Sequence, residues 1–126
     1  MSKIVILESL AVSDEKMRAL KAPFEAQGHV FEEYARSADT QTLIRQAQDA
    51  DALIIANMPL RGEVIRACGK LKYIDVAFTG VDHVDLAAAR EMGVKVSNAS
   101  GYSNEAVAEL ALGMALSLSR NLTAVE

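Results

Sequence analysis

Residues 71–98 read LKYIDVAFTGVDHVDLAAAREMGVKVSN, and they hold one complete turn of the architecture. The short, mostly apolar run from Lys72 to Phe78 predicts a strand. Thr79-Gly80-Val81 then turns the chain. Asp85 is placed to cap a helix from Leu86 to Met92, because its carboxylate can accept an N–H left free in the first turn. Gly93 stops that helix, and Val94 to Val96 starts the next strand. A strand, a turn, a capped helix and a second strand in this order is a βαβ unit, which joins parallel strands.

Working back toward the N-terminus, the same rhythm repeats. Ile4 to Leu7 is the first apolar run. Ser13 caps a helix with the stripe Met17, Leu20 and Phe24, expected to end at Gly28, with Pro23 kinking or shortening it. Val30 to Tyr34 is a weaker strand, and Asp39 caps a second helix carrying Leu43, Ile44 and Ala47. Ala52 to Ala56 is a buried strand followed by the turn Asn57-Met58-Pro59, and a short helix around Glu63 to Ala67 ends at Gly69. Continuous apolar strands imply a sheet covered on both faces. Right-handed crossovers then give a flavodoxin-like α/β fold: an open parallel five-stranded sheet in the order 2-1-3-4-5, with helices on both faces. Ligands of such sheets meet the loops at the carboxyl ends of the strands. Here those loops are 8–12, 57–61, 78–84 and 98–103.

The last element departs from the pattern. Ser103 is expected to cap a helix to about Arg120, with Ala106, Val107, Leu110, Ala111, Met114 and Leu118 on a broad apolar face. That face exceeds what a terminal helix on a small sandwich needs, and points to a partner surface outside it.

Composition excludes several classes. The 126 residues are 51% hydrophobic and 24% charged with a net charge of -4, so a basic, phosphate-tracking nucleic-acid surface is not expected. Glu8 ends the first apolar run too early for a signal peptide, and residues 106–118 are too short to span a bilayer. The lone Cys68 fits a reducing compartment, and the expectation is a cytoplasmic, soluble protein. Cys68 has no cysteine partner, and His29 and His83 lack metal-pair spacing, so no metal is expected. None of the seven glycines falls in a G-x-G spacing, and no Walker-type lysine loop or G-x-S-x-G elbow is present. The residues alone describe a sandwich with a ligand-ready loop edge and no complete catalytic set.

Three blocks in residues 71–120 go further. Thr79-Gly80-Val81-Asp82 is followed by Val84-Asp85; Gly93-Val94 leads to Asn98; Gly101-Tyr102-Ser103 precedes Ala106-Val107-Ala108-Glu109-Leu110. In this order and spacing the stretch resembles the D-isomer-specific 2-hydroxyacid dehydrogenases, tightly over its last two fifths and only in element order over residues 1–70. The resemblance implies part of an oxidoreductase that transfers a hydride between NAD or NADP and a D-2-hydroxy acid or 2-keto acid. Residues 1–100 would be the substrate (catalytic) domain, and 101–126 a hinge helix leading to a nucleotide-binding domain. The family's catalytic arginine, glutamate and histidine would lie further on, so no catalytic residue is expected here, no cofactor bound by this chain alone, and no turnover by it.

By the same resemblance, Thr79 and Gly80 would grip the substrate carboxylate, in a turn whose successive N–H groups can cradle an anion. Asn57, Met58 and Tyr102 would line the pocket, Phe78 would narrow it where many members carry a smaller residue, and Thr79 and Val107 would touch the cofactor. A homodimer is implied for the intact enzymes, mostly through the other domain, and the apolar stripe on the last helix should itself favour association.

Plainer readings stand beside these. Asp82 and Asp85 read as a turn residue and a cap rather than an acid/base pair, His83 as a loop residue, Cys68 as a small hydrophobe and Glu109 as structural. Two alternatives from other classes are a receiver-like signalling module and a stand-alone binding domain for small carboxylates. The first lacks its aspartate, since Ala56 or Asn57 stands at the end of the third strand. The second would call for a polar last helix.

Overall fold

The computed structural model describes residues 1–124; the end of the expected hinge segment, residues 125–126, lies outside them. Five strands, β1 (Lys3–Ile6), β2 (Val30–Glu33), β3 (Ala52–Ile55), β4 (Tyr73–Val76) and β5 (Lys95–Asn98), form one sheet in the order β2-β1-β3-β4-β5. All pairings are parallel, as the sequence pattern predicts. Helices α1 (Asp14–Glu25), α2 (Thr40–Ala47), α3 (Gly62–Ala67) and α4 (Leu86–Glu91) alternate with the strands, and α5 (Asn104–Arg120) follows β5, trailed by a 3-10 turn, Leu122–Ala124.

Register separates the two sheet faces. Val5 and Leu7, Leu53 and Ile55, and Ile74 and Val76 share one face and are fully buried. They join Leu43 and Ala47 of α2, Val64 and Ile65 of α3, and Ala88 and Ala89 of α4 in a single core. Each such branched side chain withdrawn from water contributes roughly 1.5–3 kcal/mol. This face holds the fold.

The opposite face is covered unequally. Among the described residues it is α1 that borders this face, and none of the residues of α1 is buried. Leu20 and Phe24 remain half-exposed beside an apolar groove of about 280 Å³ shared with Ile6, Phe31 and Ile54. Toward β4 and β5 the face turns polar: Tyr73 Oη donates to Ser97 Oγ (2.6 Å), which donates to Asp75 Oδ1 (2.8 Å). Continuous apolar strands therefore overstate the covering on this side.

The caps expected at Ser13, Asp39 and Asp85 are made; their side chains accept from Lys16, Thr42 and Ala88 N–H respectively. Ser103 differs, since it occupies the cap position of α5 without a side-chain bond. Helix α1 stops at Glu25, ahead of Gly28, with Pro23 in its last turn; Gly28 takes the left-handed turn beyond it (φ 85°). Strand β5 runs to Asn98 rather than Val96, because register with β4 carries Ser97 and Asn98 opposite Asp75 and Val76. No residue of α5 is buried. Leu110, Met114 and Leu118 are each more than half exposed.

Candidate functional site

The carboxyl ends of β1, β3, β4 and β5 meet at one edge. The loop after β4 is fastened by its carbonyls. Ala99 N–H donates to both Val76 O (3.1 Å) and Phe78 O (3.0 Å), and Asn98 Nδ2 donates to Thr79 O (2.6 Å). Ala77 N–H closes the ladder to Ile55 O (2.7 Å). Among the described residues, the N–H groups of Thr79, Gly80 and Val81 donate to no protein acceptor. Unpaired backbone donors in series can hold an anion where they converge on one point. Gly80 is not in the left-handed region, and a Cβ built on it would meet nothing within 4 Å. The domain itself does not demand glycine there, so any demand comes from what occupies the open space.

The far end of the loop is equally fixed. Leu60 N–H donates to His83 O (2.8 Å) and Asp85 N–H to Leu60 O (3.1 Å), a small parallel bridge between the loops after β3 and β4. Asp85 caps α4 and lies against Gly62, where a Cβ would sit 2.4 Å from Asp85 Oδ2. Asp82 stays exposed, and His83 is partly buried with its Nε2 lacking a hydrogen-bond partner.

Beside this loop is a cavity of about 490 Å³ bordered by Glu8, Arg36, Asn57, Phe78 and Tyr102, with Ser9 to Ala11 as one wall. Asn57, Phe78 and Tyr102 are thus brought together. Met58 is not: its side chain is 1% exposed in the core, and only its N–H reaches this edge. Thr79 and Gly80 follow Phe78 directly without bordering the cavity. Val107 is exposed on the first turns of α5, away from it. Ala11 has φ 55°, a left-handed conformation that costs a non-glycine residue about 1 kcal/mol or more.

Two residues here are absent from the sequence-based site. Glu8 is the buried charged residue of the described chain. Its Oε1 accepts from Ala56 N–H (2.7 Å) and Met58 N–H (2.8 Å), replacing the ladder partners that the turn after β3 lacks. Its Oε2 lies 3.4 Å from Arg36 Nη1, which also donates to Asn57 Oδ1 (2.8 Å). The signal for Glu8 was an acidic residue directly ending an apolar strand. Arg36 lies in the irregular stretch before α2 and carried no local signal.

No group of metal-binding side chains is found among the described residues, and no described helix is long and apolar enough to cross a membrane. Cys68 is buried, its Sγ bonded to Val64 O (3.1 Å) and its thiol pushed up to about 11 by burial, the behaviour of an inert core residue.

The model of the D-isomer specific 2-hydroxyacid dehydrogenase catalytic domain matches residues 4–124. The chain belongs to this family. It is 30% identical to the glycerate dehydrogenase of Methylorubrum extorquens over 94% of its length and 36% of that enzyme's. It is 37% identical to the D-3-phosphoglycerate dehydrogenase of Methanocaldococcus jannaschii over 71% of its length and 17% of that enzyme's. This 2-hydroxyacid dehydrogenase domain thus spans about a third or less of these curated relatives. Among solved structures, it resembles an NAD-dependent formate dehydrogenase from Staphylococcus aureus in complex with NAD (TM-score 0.77, 34% identity, 96% of this chain and 39% of that one). It also resembles an NAD+-bound 3-phosphoglycerate dehydrogenase of Entamoeba histolytica (TM-score 0.78, 27% identity, 92% and 38%).

Proposed function

We propose that this domain is the substrate-binding part of an NAD(P)-dependent oxidoreductase that interconverts a 2-keto acid and a D-2-hydroxy acid. The supporting observation is the row of unpaired N–H donors at Thr79, Gly80 and Val81, on a loop whose carbonyls are tied to Asn98 and Ala99. They would hold the substrate carboxylate, with Asn57, Phe78 and Tyr102 bounding the substrate tail.

The cofactor fits this chain only at its edge. The sequence has no glycine-rich dinucleotide turn, so Thr79 and Val107 would contact the nicotinamide end while another domain holds the remainder. NAD(P), when bound, supplies or accepts the hydride. Residues 1–100 would form the substrate domain and α5 the hinge helix toward the nucleotide domain, its apolar stripe covered there or in a homodimer. A reducing, cytoplasmic setting suits the free Cys68.

The test is titration of the isotopically labelled chain with pyruvate, followed by amide shifts. Saturable movement centred on Thr79, Gly80 and Val81 is expected, and movement confined elsewhere would refute the cradle. The same chain with NADH and pyruvate, glyoxylate or hydroxypyruvate should show no steady-state turnover; sustained NADH oxidation would overturn the division of labour.

A further inference from the structure

We infer that Arg36, set in place by Glu8 and Asn57, selects substrates carrying a second oxyanion at the end remote from the reacting carbon; this rests on the proposed carboxylate cradle. The cavity beside that cradle has two charged residues on its border, Arg36 and Glu8. They are not equivalent. The Glu8 side chain is 5% exposed and the Arg36 side chain 53%. Glu8 Oε1 is already occupied by the N–H groups of Ala56 and Met58, and its Oε2 faces Arg36. The carboxylate is therefore committed to the protein, and Arg36 is the more exposed of the two charges on the cavity border.

Arg36 is also fixed rather than free-swinging. Nη1 is shared between Glu8 Oε2 and Asn57 Oδ1, while among the described residues Nε and Nη2 donate to no protein acceptor. A planar guanidinium with one corner anchored and open donors offers paired N–H bonds to a carboxylate or phosphate. Phe78 borders the cavity one position before Thr79. A ligand whose first carboxylate sat at Thr79 and Gly80 would enter past Phe78 the cavity that Arg36 borders. Leu10 and Ala77 supply apolar contact for a short methylene spacer, and Ala11, held at φ 55°, shapes the same wall as Leu10.

The chemistry named is an oxyanion, and matched ligands separate its two sources. 2-Oxoglutarate and 2-oxopentanoate have the same carbon chain with and without the terminal carboxylate. 3-Phosphoglycerate and D-glycerate differ by the phosphate. Dissociation constants are read from the amide shifts of Thr79 to Val81 in the native chain and in Arg36→Gln and Arg36→Lys.

The ratio within a pair is the readout. In the native chain the ligand with the second oxyanion, in at least one pair, binds about tenfold tighter, the order expected of a charge-assisted bond. The pair that shows it identifies the terminal group. Arg36→Gln brings the ratio close to unity, and Arg36→Lys retains part of it. Ratios near unity in the native chain overturn the inference while leaving the cradle intact. A preference that survives Arg36→Gln also overturns it, by assigning the selection to another group. Failure of all four ligands to move these amides removes the cradle itself, and the inference with it.

Discussion

Gly62 leaves no room for a side chain, because those of Asp85, Arg66 and Ala88 already crowd its Cα. A methyl group there would stand 2.4 Å from Asp85 Oδ2, 2.7 Å from Arg66 Nη1 and 3.1 Å from Ala88 Cβ. Arg66 is flexible and can withdraw, but Asp85 caps α4 and anchors the loop that begins at Thr79. Gly62→Ala is therefore expected to destabilise the domain by about 1–3 kcal/mol, read from denaturant midpoints, with amide shifts spreading from Asp85 to Val81. At this scale the sequence reveals what is local. Ser13, Asp39 and Asp85 lie three residues before their N–H donors, so their capping is written in the spacing. Glu8 bonds across 48 and 50 positions and meets Arg36 across 28, distances at which no spacing rule operates. Met58 shows the converse: the turn Asn57-Met58-Pro59 suggested a pocket wall, yet its long apolar side chain gains more by entering the core.

Among the elements, α5 stands apart. The order of the five strands and the first four helices follows from periodicity and capping, whereas strand ends depend on register with a neighbour and were displaced by a residue or two. The apolar stripe of α5 was visible in the sequence. Its excess over what the sandwich could cover was visible too, and the structure leaves it exposed; which surface it meets was not, because a pattern of apolar residues does not name its partner. Ending the chain after Ser103 should accordingly leave the body intact. The expected change in melting temperature is within about 2 °C, since removing exposed, unpacked residues costs little. A large loss would mean that α5 folds back onto the sheet in solution, for which the half-open face beside α1 is the available place.

For the molecule as a whole, the N-terminal strand is held by a set of charges at the amino ends of the strands. Lys3 Nζ lies 2.9 Å from both Glu32 and Asp49, while Lys3 N–H donates to Asp51 Oδ2 (2.9 Å). The hydrogen bonds from the Lys3 ammonium hold the Glu32 and Asp49 carboxyls below their ordinary values of 4.5 and 3.8, and the Lys3 backbone N–H does the same for Asp51. A carboxyl whose value is depressed by folding stabilises fully above its unfolded value and loses that contribution as pH falls through the folded one. Stability should therefore be level at neutral pH and decline once pH drops below about 4.5. Lys3→Met should flatten part of that decline in urea titrations at graded pH. An acid limb identical to that of the native chain would exclude this cluster as its source.

The fastening of the loop after β4 has a mechanical corollary. Asn98 and Ala99 grip the carbonyls of Val76, Phe78 and Thr79, and the same backbone continues through Gly101 into α5 at Asn104. Whatever tilts that long helix pulls on a tether only a few residues in length, and its other end is the row of amides at Thr79 to Val81. Any helix movement would then reach those amides through the Ala99 backbone and the Asn98 side chain, across a very short lever.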